Sequence, residues 1–251
     1  MHRKTKIFVT LLVLAGFILL LNIKVTYKEG IDFDVYKRKI PLYIKIMSFI
    51  ERDYYYRMIV KGITKNCGDD IEKIKRIFDW TCENIYSGIP EHLRVKDDHI
   101  LNIIIRGYGS CDQSADVFTT LCTYAGFPAA MYAISPKGET ERYIVSVVYY
   151  DGRFLLFDTY YKNIFINRNG EIASVGDVIE DPSIIEKAVN KPVIKSIKYE
   201  DYFNDLIPIN IFDTTLRAEL QMPARRLWYE LKVRLNPASK AKLFYGEEVA
   251  E

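Results

Sequence analysis

Histidine is scarce in this chain of 251 residues, which contains only three, and neither a CxxC pair nor a cluster of histidine and cysteine is present. Structural zinc sites are built from such clusters, so no metal site is predicted and no other cofactor is indicated. The scarcity also limits general-base chemistry. His2 precedes an apolar N-terminal run, so His92 and His99 are the two histidines in the rest of the chain.

The chain also lacks a strong excess of charge of either sign. Its formal net charge is +2, and 27% of its residues are charged. This balance is ordinary for a globular protein, so nucleic acid is not predicted as a partner. No internal repeat or low-complexity segment is found. The roughly 225 residues after the apolar run suffice for one domain with appended elements.

One cysteine stands at a predicted helix start. The segment 107–113 opens a helix-like run that closes near Gly126 and Pro128. Two glycines permit a tight turn before Cys111, and the N–H groups and positive dipole end of the helix favour its thiolate. Cys111 is therefore a candidate nucleophile. The alternative is a buried free cysteine that fills a gap in the core.

Three runs of strand character follow this helix, over 129–135, 142–150 and 153–159. The last two are joined by Asp151 and Gly152, and Asp-Gly between such runs is typical of a tight β-hairpin. We therefore expect a helix packed on an antiparallel sheet, with Asp158 at the end of the third strand.

These features resemble the transglutaminase-like superfamily, a branch of papain-like thiol enzymes in which a helix-borne Cys is followed by a strand-borne His and a strand-borne Asp. The resemblance covers about residues 71–179. It rests on Ile74, Phe78, Trp80, Asn84, Ile85, Tyr86, Gly107, Gly109, Cys111, Ala115, Phe118, Leu121, Gly126, Pro128, Ala129, Asp151, Gly152, Phe154 and Asp158. It implies an α+β fold, with a papain-like helix packed on an antiparallel β-sheet, and catalytic roles for Cys111 and Asp158.

The histidine that the resemblance implies is missing. Counted back from the Asp151 turn, its position falls on Tyr143, or on Arg142 if the register slips by one residue. A tyrosine hydroxyl titrates near pH 10, so it is a poor general base at neutral pH and forms no thiolate–imidazolium pair. The standard Cys-His-Asp mechanism is therefore predicted to be impaired.

Two site residues keep alternative interpretations. His99, twelve positions before Cys111, is an alternative base if the fold brings its imidazole to the thiol. Asp158 either has a catalytic role by resemblance or is a buried strand-end carboxylate that caps backbone N–H groups or pairs with Arg142 or Arg153.

The N-terminal segment is basic and then apolar. Three cations precede an uncharged run over residues 7–23, which as a helix is about 25 Å long. The run lacks small residues at a cleavage site, so it predicts an uncleaved signal anchor that crosses the membrane once and leaves the following domain extracytoplasmic.

We thus expect four parts: a transmembrane helix over 1–25, a helical extension over 26–69, the transglutaminase-like domain over 70–194 and a basic, partly helical extension over 195–251. In the last part, Leu227, Trp228, Leu231 and Leu235 share a helical face. This helix either lies on an anionic membrane or docks on the domain with its basic side solvated.

Four cysteines raise the question of disulfides. Cys67 and Cys82 pair only if the intervening loop folds back. Cys111 and Cys122 on one helix are about 16 Å apart, beyond the reach of a disulfide.

Three functions are compatible with these features. The first is an impaired or non-catalytic module that binds a peptide, a cell-wall component or a polysaccharide, for which the nineteen tyrosines offer stacking surfaces. The second is an active Cys-dependent peptidase, amidase or acyltransferase with His99 as base. The third, an assembly role in an envelope or exopolysaccharide system, is implied by the resemblance.

Overall fold

The computed structural model describes residues 3–31, 34–93, 95, 99–209 and 217–236. The chain divides into two compact units, one of residues 1–52 and 94–98 and the other of residues 53–93 and 99–251. Its helices are α1 Arg3–Leu21, α2 Leu42–Ile63, α3 Asp70–Asn84, α4 Ile100–Arg106, α5 Cys111–Tyr124, α6 Val175–Glu180, α7 Ser183–Glu186 and α8 Pro223–Leu235, and two 3₁₀-helices cover Tyr199–Phe203 and Ala218–Gln221.

Ten strands complete the secondary structure of the described residues. They are β1 Lys24–Ile31, β2 Asp34–Pro41, β3 Tyr86–Ser87, β4 Tyr108–Gly109, β5 Ala129–Ile134, β6 Tyr143–Tyr150, β7 Arg153–Asp158, β8 Asn163–Ile164, β9 Val193–Ile194 and β10 Ile197–Lys198.

The first unit contains α1, the antiparallel hairpin of β1 and β2, and the start of α2. Within the residues that the structure describes, none of the helices has both the length and the apolarity that crossing a membrane requires. The predicted N-terminal transmembrane helix is therefore wrong. From Ile7 to the end of α1 at Leu21 the helix rises about 21 Å, which is short of a hydrocarbon core of about 30 Å. The extracytoplasmic location was inferred from that helix and stays a prediction.

The second unit is built around a four-stranded antiparallel sheet in the order β5, β6, β7, β8. Tyr150 pairs with Arg153, and both intervening residues have positive φ, 48° at Asp151 and 76° at Gly152. Two consecutive residues with positive φ are typical of the tight turns that match the twist of a hairpin. The predicted hairpin is confirmed.

Both faces of this sheet are buried. Side chains alternate along β6, so Val148 joins one core cluster while Val145 and Val147 join another. The first cluster lies between the sheet and helices α3 and α5, and it contains Phe78 and Phe118. The second includes the 3₁₀-helix Tyr199–Phe203, so this core extends beyond residue 194.

Local capping explains where two helices begin. Asp69 accepts a hydrogen bond from the Glu72 backbone N–H at 2.7 Å, as expected for the start of α3. Ser174 and Asp177 form a capping box at the start of α6, in which each side chain accepts a bond from the other residue's backbone N–H. Cys67, Cys82, Cys111 and Cys122 all carry free thiols.

Candidate functional site

The loop before α5 is held by a short parallel pairing of β3 with β4. The backbone N–H of Tyr86 donates to the Gly107 carbonyl at 2.8 Å, and that of Gly88 donates to the Gly109 carbonyl at 2.9 Å. Gly107 ends α4 with a φ of 72°, a left-handed conformation that glycine adopts without steric cost. The end of α3 and the start of α5 are thereby brought together.

Gly109 is required by close packing. A Cβ atom at this position would lie 2.9 Å from Gln113 Cβ, closer than side chains tolerate. Gln113 Oε1 accepts bonds from the Ser110 N–H at 3.2 Å and from Arg106 Nη2 at 2.5 Å. These contacts fix the first turn of α5, which carries Cys111 at its first residue.

Cys111 is half-buried, and burial raises the pKa of its thiol. The Ile144 and Asp112 backbone N–H groups act in the opposite direction, whereas the carboxylates of Asp112 and Asp158 raise the pKa further. The helix start does not produce the depressed thiol pKa that the sequence suggested. The reason is that desolvation disfavours the charged form more than the backbone donors favour it.

Asp158 is a fully buried carboxylate with four hydrogen-bond donors. Oδ1 accepts from the Tyr143 hydroxyl at 2.7 Å and from the backbone N–H groups of Tyr160 and Tyr161 at 3.0 and 3.1 Å. Oδ2 accepts from the Tyr199 hydroxyl at 2.5 Å. Burial raises the pKa of Asp158, although all four donors act to lower it. These bonds agree with the capping role considered for this residue.

Tyr143, at the start of β6, is buried and directs its hydroxyl to Asp158. Burial and the neighbouring Asp158 charge raise the pKa of this hydroxyl above its already high usual value. The hydroxyl therefore stays protonated at neutral pH and acts as a hydrogen-bond donor, and it accepts no proton from a thiol.

Five tyrosine rings pack around this carboxylate and beside the thiol. Tyr143 and Tyr161 are stacked with centroids 5.7 Å apart, and Tyr160 meets Tyr161 edge-on at 4.9 Å. Tyr199 and Tyr202 lie 6.3 and 5.8 Å from Tyr143. A charge on Cys111 would raise the pKa of Tyr143, Tyr160, Tyr161 and Tyr202, so these phenols lie within electrostatic reach of the thiol.

A basic residue approaches from the hairpin of β9 and β10. Lys195 has a φ of 48° at the turn, and its Nζ forms an ion pair with Glu141 Oε2 at 2.5 Å. The charge of Cys111 is among the influences on the Lys195 pKa, which is raised mainly by its hydrogen bond to Glu141.

His99 lies immediately before α4, in extended backbone with a φ of −167°. The five largest influences on the Cys111 pKa are burial, two backbone N–H groups and two carboxylates, and no imidazole is among them. His92 is exposed in the loop after β3. A role for His99 as base stays a prediction.

Comparison with known families identifies this part of the chain. Residues 57–159 match the model of the transglutaminase-like superfamily. This region is a transglutaminase-like domain. Helix α5 with Cys111 and the strands up to Asp158 lie within it, whereas Tyr199 lies beyond it.

Three solved structures are similar to this chain, each at low sequence identity. A protein from Cytophaga hutchinsonii, provisionally named a cysteine protease, is 18% identical, with 51% of this chain and 44% of that chain covered and a TM-score of 0.36. A protein from Parabacteroides distasonis, provisionally named a protease, is 16% identical, with 53% and 35% covered and a TM-score of 0.35. A structure named a TGase is 13% identical, with 60% and 46% covered and a TM-score of 0.36.

The chain thus spans less than half of the length of each of these structures. No curated protein matches the chain.

Of the site residues predicted from sequence, Tyr143 and Asp158 are in direct contact, and Cys111 packs against the core cluster that contains Tyr143. Two residues that act on Asp158 and Cys111 were missed. Tyr199 and Lys195 follow the recognised region, and no local motif marks either of them.

Proposed function

We propose that this transglutaminase-like domain binds a peptide or glycan strand and is impaired or non-catalytic by the standard Cys-His-Asp mechanism. The observation that carries the proposal is the set of hydrogen bonds on Asp158. Both carboxylate oxygens are occupied by tyrosine hydroxyls, at Tyr143 and Tyr199. In the standard mechanism a carboxylate orients an imidazole, which in turn takes the thiol proton.

The protonation of the thiol supports the same conclusion. An unperturbed cysteine titrates near pH 8.5, so about 3% is thiolate at pH 7, and burial of Cys111 reduces that fraction. Neither Tyr143 nor Tyr199 compensates for this loss, because burial raises the pKa of both hydroxyls. A cysteine in this state is a weak nucleophile.

Aromatic side chains beside the thiol support a binding role. Tyr160 and Tyr161 are half-buried, and Tyr86, which influences the pKa of Tyr160, is largely exposed. Tyrosine rings stack on sugars and peptide groups while their hydroxyls remain hydrated. The proposed ligand is therefore a peptide or a glycan. The proposed setting, envelope or exopolysaccharide assembly, extends the family resemblance.

The test is the pH dependence of iodoacetamide alkylation, measured at each cysteine by mass spectrometry in the full chain. Cys67, also half-buried, serves as an internal reference. We expect Cys111 to react with an apparent pKa above about 8.5, because burial raises it. We expect His99→Ala to leave the profile unchanged. Tyr143→His should lower the apparent pKa, because position 143 is within electrostatic reach of the thiol and a protonated imidazole there favours the thiolate.

A depressed apparent pKa in the wild-type chain that rises in His99→Ala would instead identify His99 as the base. That result would replace the proposal with an active Cys-dependent peptidase, amidase or acyltransferase.

A further inference from the structure

Helix α8 buries its less apolar side more than its apolar side. Tyr229, Glu230 and Val233 are half-buried, and the helix contacts the 3₁₀-helix Ala218–Gln221 that precedes it. Leu227, Trp228, Leu231 and Leu235, in contrast, are between 44% and 86% exposed. A helix of a soluble domain ordinarily buries its apolar side, so this orientation leaves an interaction surface.

The exposed residues form one continuous stripe. Leu227, Leu231 and Leu235 recur at intervals of four, and Trp228 lies along one edge. At 3.6 residues per turn, Arg225 and Lys232 follow the Trp228 edge of the stripe and Arg234 borders the Leu227 edge. The four residues form what is called here the apolar stripe of α8.

The charges bordering the apolar stripe indicate its occupant. Helix α8 carries four cations and a single carboxylate, Glu230, which pairs with Arg226. Arg225 pairs with Glu219 of the preceding 3₁₀-helix, so Lys232 and Arg234 supply the charge at the two borders of the stripe. An apolar strip with cations at both borders and a tryptophan at its edge matches the boundary between acyl chains and anionic headgroups. A second copy related by two-fold symmetry would bring the same cations together, and like charges oppose that pairing.

The helix is also tied to the domain. Arg217 Nη2 pairs with the buried Asp116 Oδ2 of α5 at 2.7 Å, and the Tyr124 hydroxyl of α5 donates to the Gln221 carbonyl at 3.0 Å. The 3₁₀-helix between these two points leads directly into α8. A surface bound by α8 would therefore fix the orientation of the domain.

We propose that α8 lies on the surface of a lipid bilayer rich in anionic headgroups, with its apolar stripe inserted among the acyl chains. The proposal concerns a surface contact, and it stands independently of the function proposed for the thiol site.

Tryptophan fluorescence tests it in the full chain. The sequence has two tryptophans, so Trp80→Phe leaves Trp228 as the sole fluorescent tryptophan. Its emission then reports on the surroundings of α8 alone, even if another part of the chain also binds the vesicle. We expect a blue shift of Trp228 emission on phosphatidylglycerol-rich vesicles, and quenching by lipids brominated on the acyl chain. Vesicles of pure phosphatidylcholine should produce little blue shift and little quenching.

Matched variants separate charge from apolar contact. Lys232→Gln with Arg234→Gln should weaken partitioning about 30-fold, because each cation near an anionic surface contributes about a factor of five. Lys187→Gln with Lys198→Gln removes the same charge away from α8 and should leave partitioning unchanged. Leu235→Ala should weaken it about tenfold, whereas Val189→Ala, at another exposed position, should not.

Three results would overturn the proposal. The first is unshifted emission on anionic vesicles, and the second is an equal shift on both lipid compositions. The third is emission that is already blue without vesicles. If that blue emission depends on protein concentration, a second copy covers the stripe, and if it does not, the chain covers the stripe itself. Circular dichroism of every variant verifies folding.

Discussion

At the scale of single residues, Asp158 shows how a catalytic type of side chain serves a structural purpose. A buried ionised carboxylate is costly unless several donors surround it, and here two hydroxyls and two backbone N–H groups do so. Removal of one donor leaves that cost partly uncompensated. The stability of the domain therefore depends on Tyr143 and Tyr199, whose hydroxyls donate to this carboxylate.

Tyr199→Phe tests this dependence. It removes the hydrogen bond to Asp158 Oδ2 and the 3.1 Å bond that the hydroxyl accepts from Asn163 Nδ2. We expect the free energy of unfolding to fall by about 2 kcal/mol, chiefly from the bond to the charged group. Urea denaturation of the full chain measures the change.

The matched control is Tyr202→Phe in the same 3₁₀-helix. Its hydroxyl makes a 3.4 Å bond to the Ile194 carbonyl, and its ring is equally buried. We expect a loss below about 1 kcal/mol. Equal losses in the two variants would mean that the bond to Asp158 stabilises the fold no more than the long bond of Tyr202 does.

At the scale of elements, the start of α5 depends on the absence of a Cβ atom at Gly109. Gly109→Ala would force a Cβ atom against Gln113, and we expect a loss of about 1–3 kcal/mol in the free energy of unfolding. Cys111 alkylation should also accelerate, because a displaced first turn exposes the thiol. Both quantities are measured by urea denaturation and by mass spectrometry.

Gly176→Ala in α6 is the comparison. An added Cβ there meets Ser174 Oγ at an ordinary 3.6 Å, and alanine favours helix by roughly 0.5–1 kcal/mol. If both alanine variants gained stability, close packing at Gly109 would not be what positions the helix.

Elements set by local chemistry could be predicted from sequence. The hairpin at Asp151, the Asp69 cap and the Ser174 capping box each depend on residues a few positions apart. The bond from Tyr199 to Asp158 spans 41 residues, and no periodicity encodes it. The sequence left open whether Cys111 is a reactive thiol or a buried one for the same reason, since its helix position was visible but the packing that raises its thiol pKa was not. The membrane helix was wrong because α1 ends at Leu21, so the apolar run over 7–23 is not helical to its end and is short of a bilayer core.

At the scale of the whole molecule, Arg217 joins the C-terminal elements to the helix that carries Cys111. Arg217→Met would leave Asp116 buried without this cation, and we expect a loss of about 1–2 kcal/mol because Arg217 itself is half exposed. Amide hydrogen exchange in α8 should accelerate at the same time.

Arg225→Met is the matched control, since Arg225 and its partner Glu219 are both solvent-accessible. Pairs of this kind contribute little, so we expect a change below about 0.5 kcal/mol. If amide hydrogen exchange in α8 were as slow in Arg217→Met as in the wild-type chain, the ion pair would not be what holds the C-terminal elements in place.

The distance along the chain between Asp158 and Tyr199 has a consequence for biosynthesis. At about 5–20 residues per second, the ribosome needs about 2–8 seconds to add the 41 residues from the one after Asp158 up to Tyr199. During that interval the nascent sheet has an incompletely bonded carboxylate and one face that α6 and α7 cover only in part, until the 3₁₀-helix Tyr199–Phe203 completes that cluster. A chain ending at residue 194 would remain in that unfinished state, as a target for chaperones and proteases.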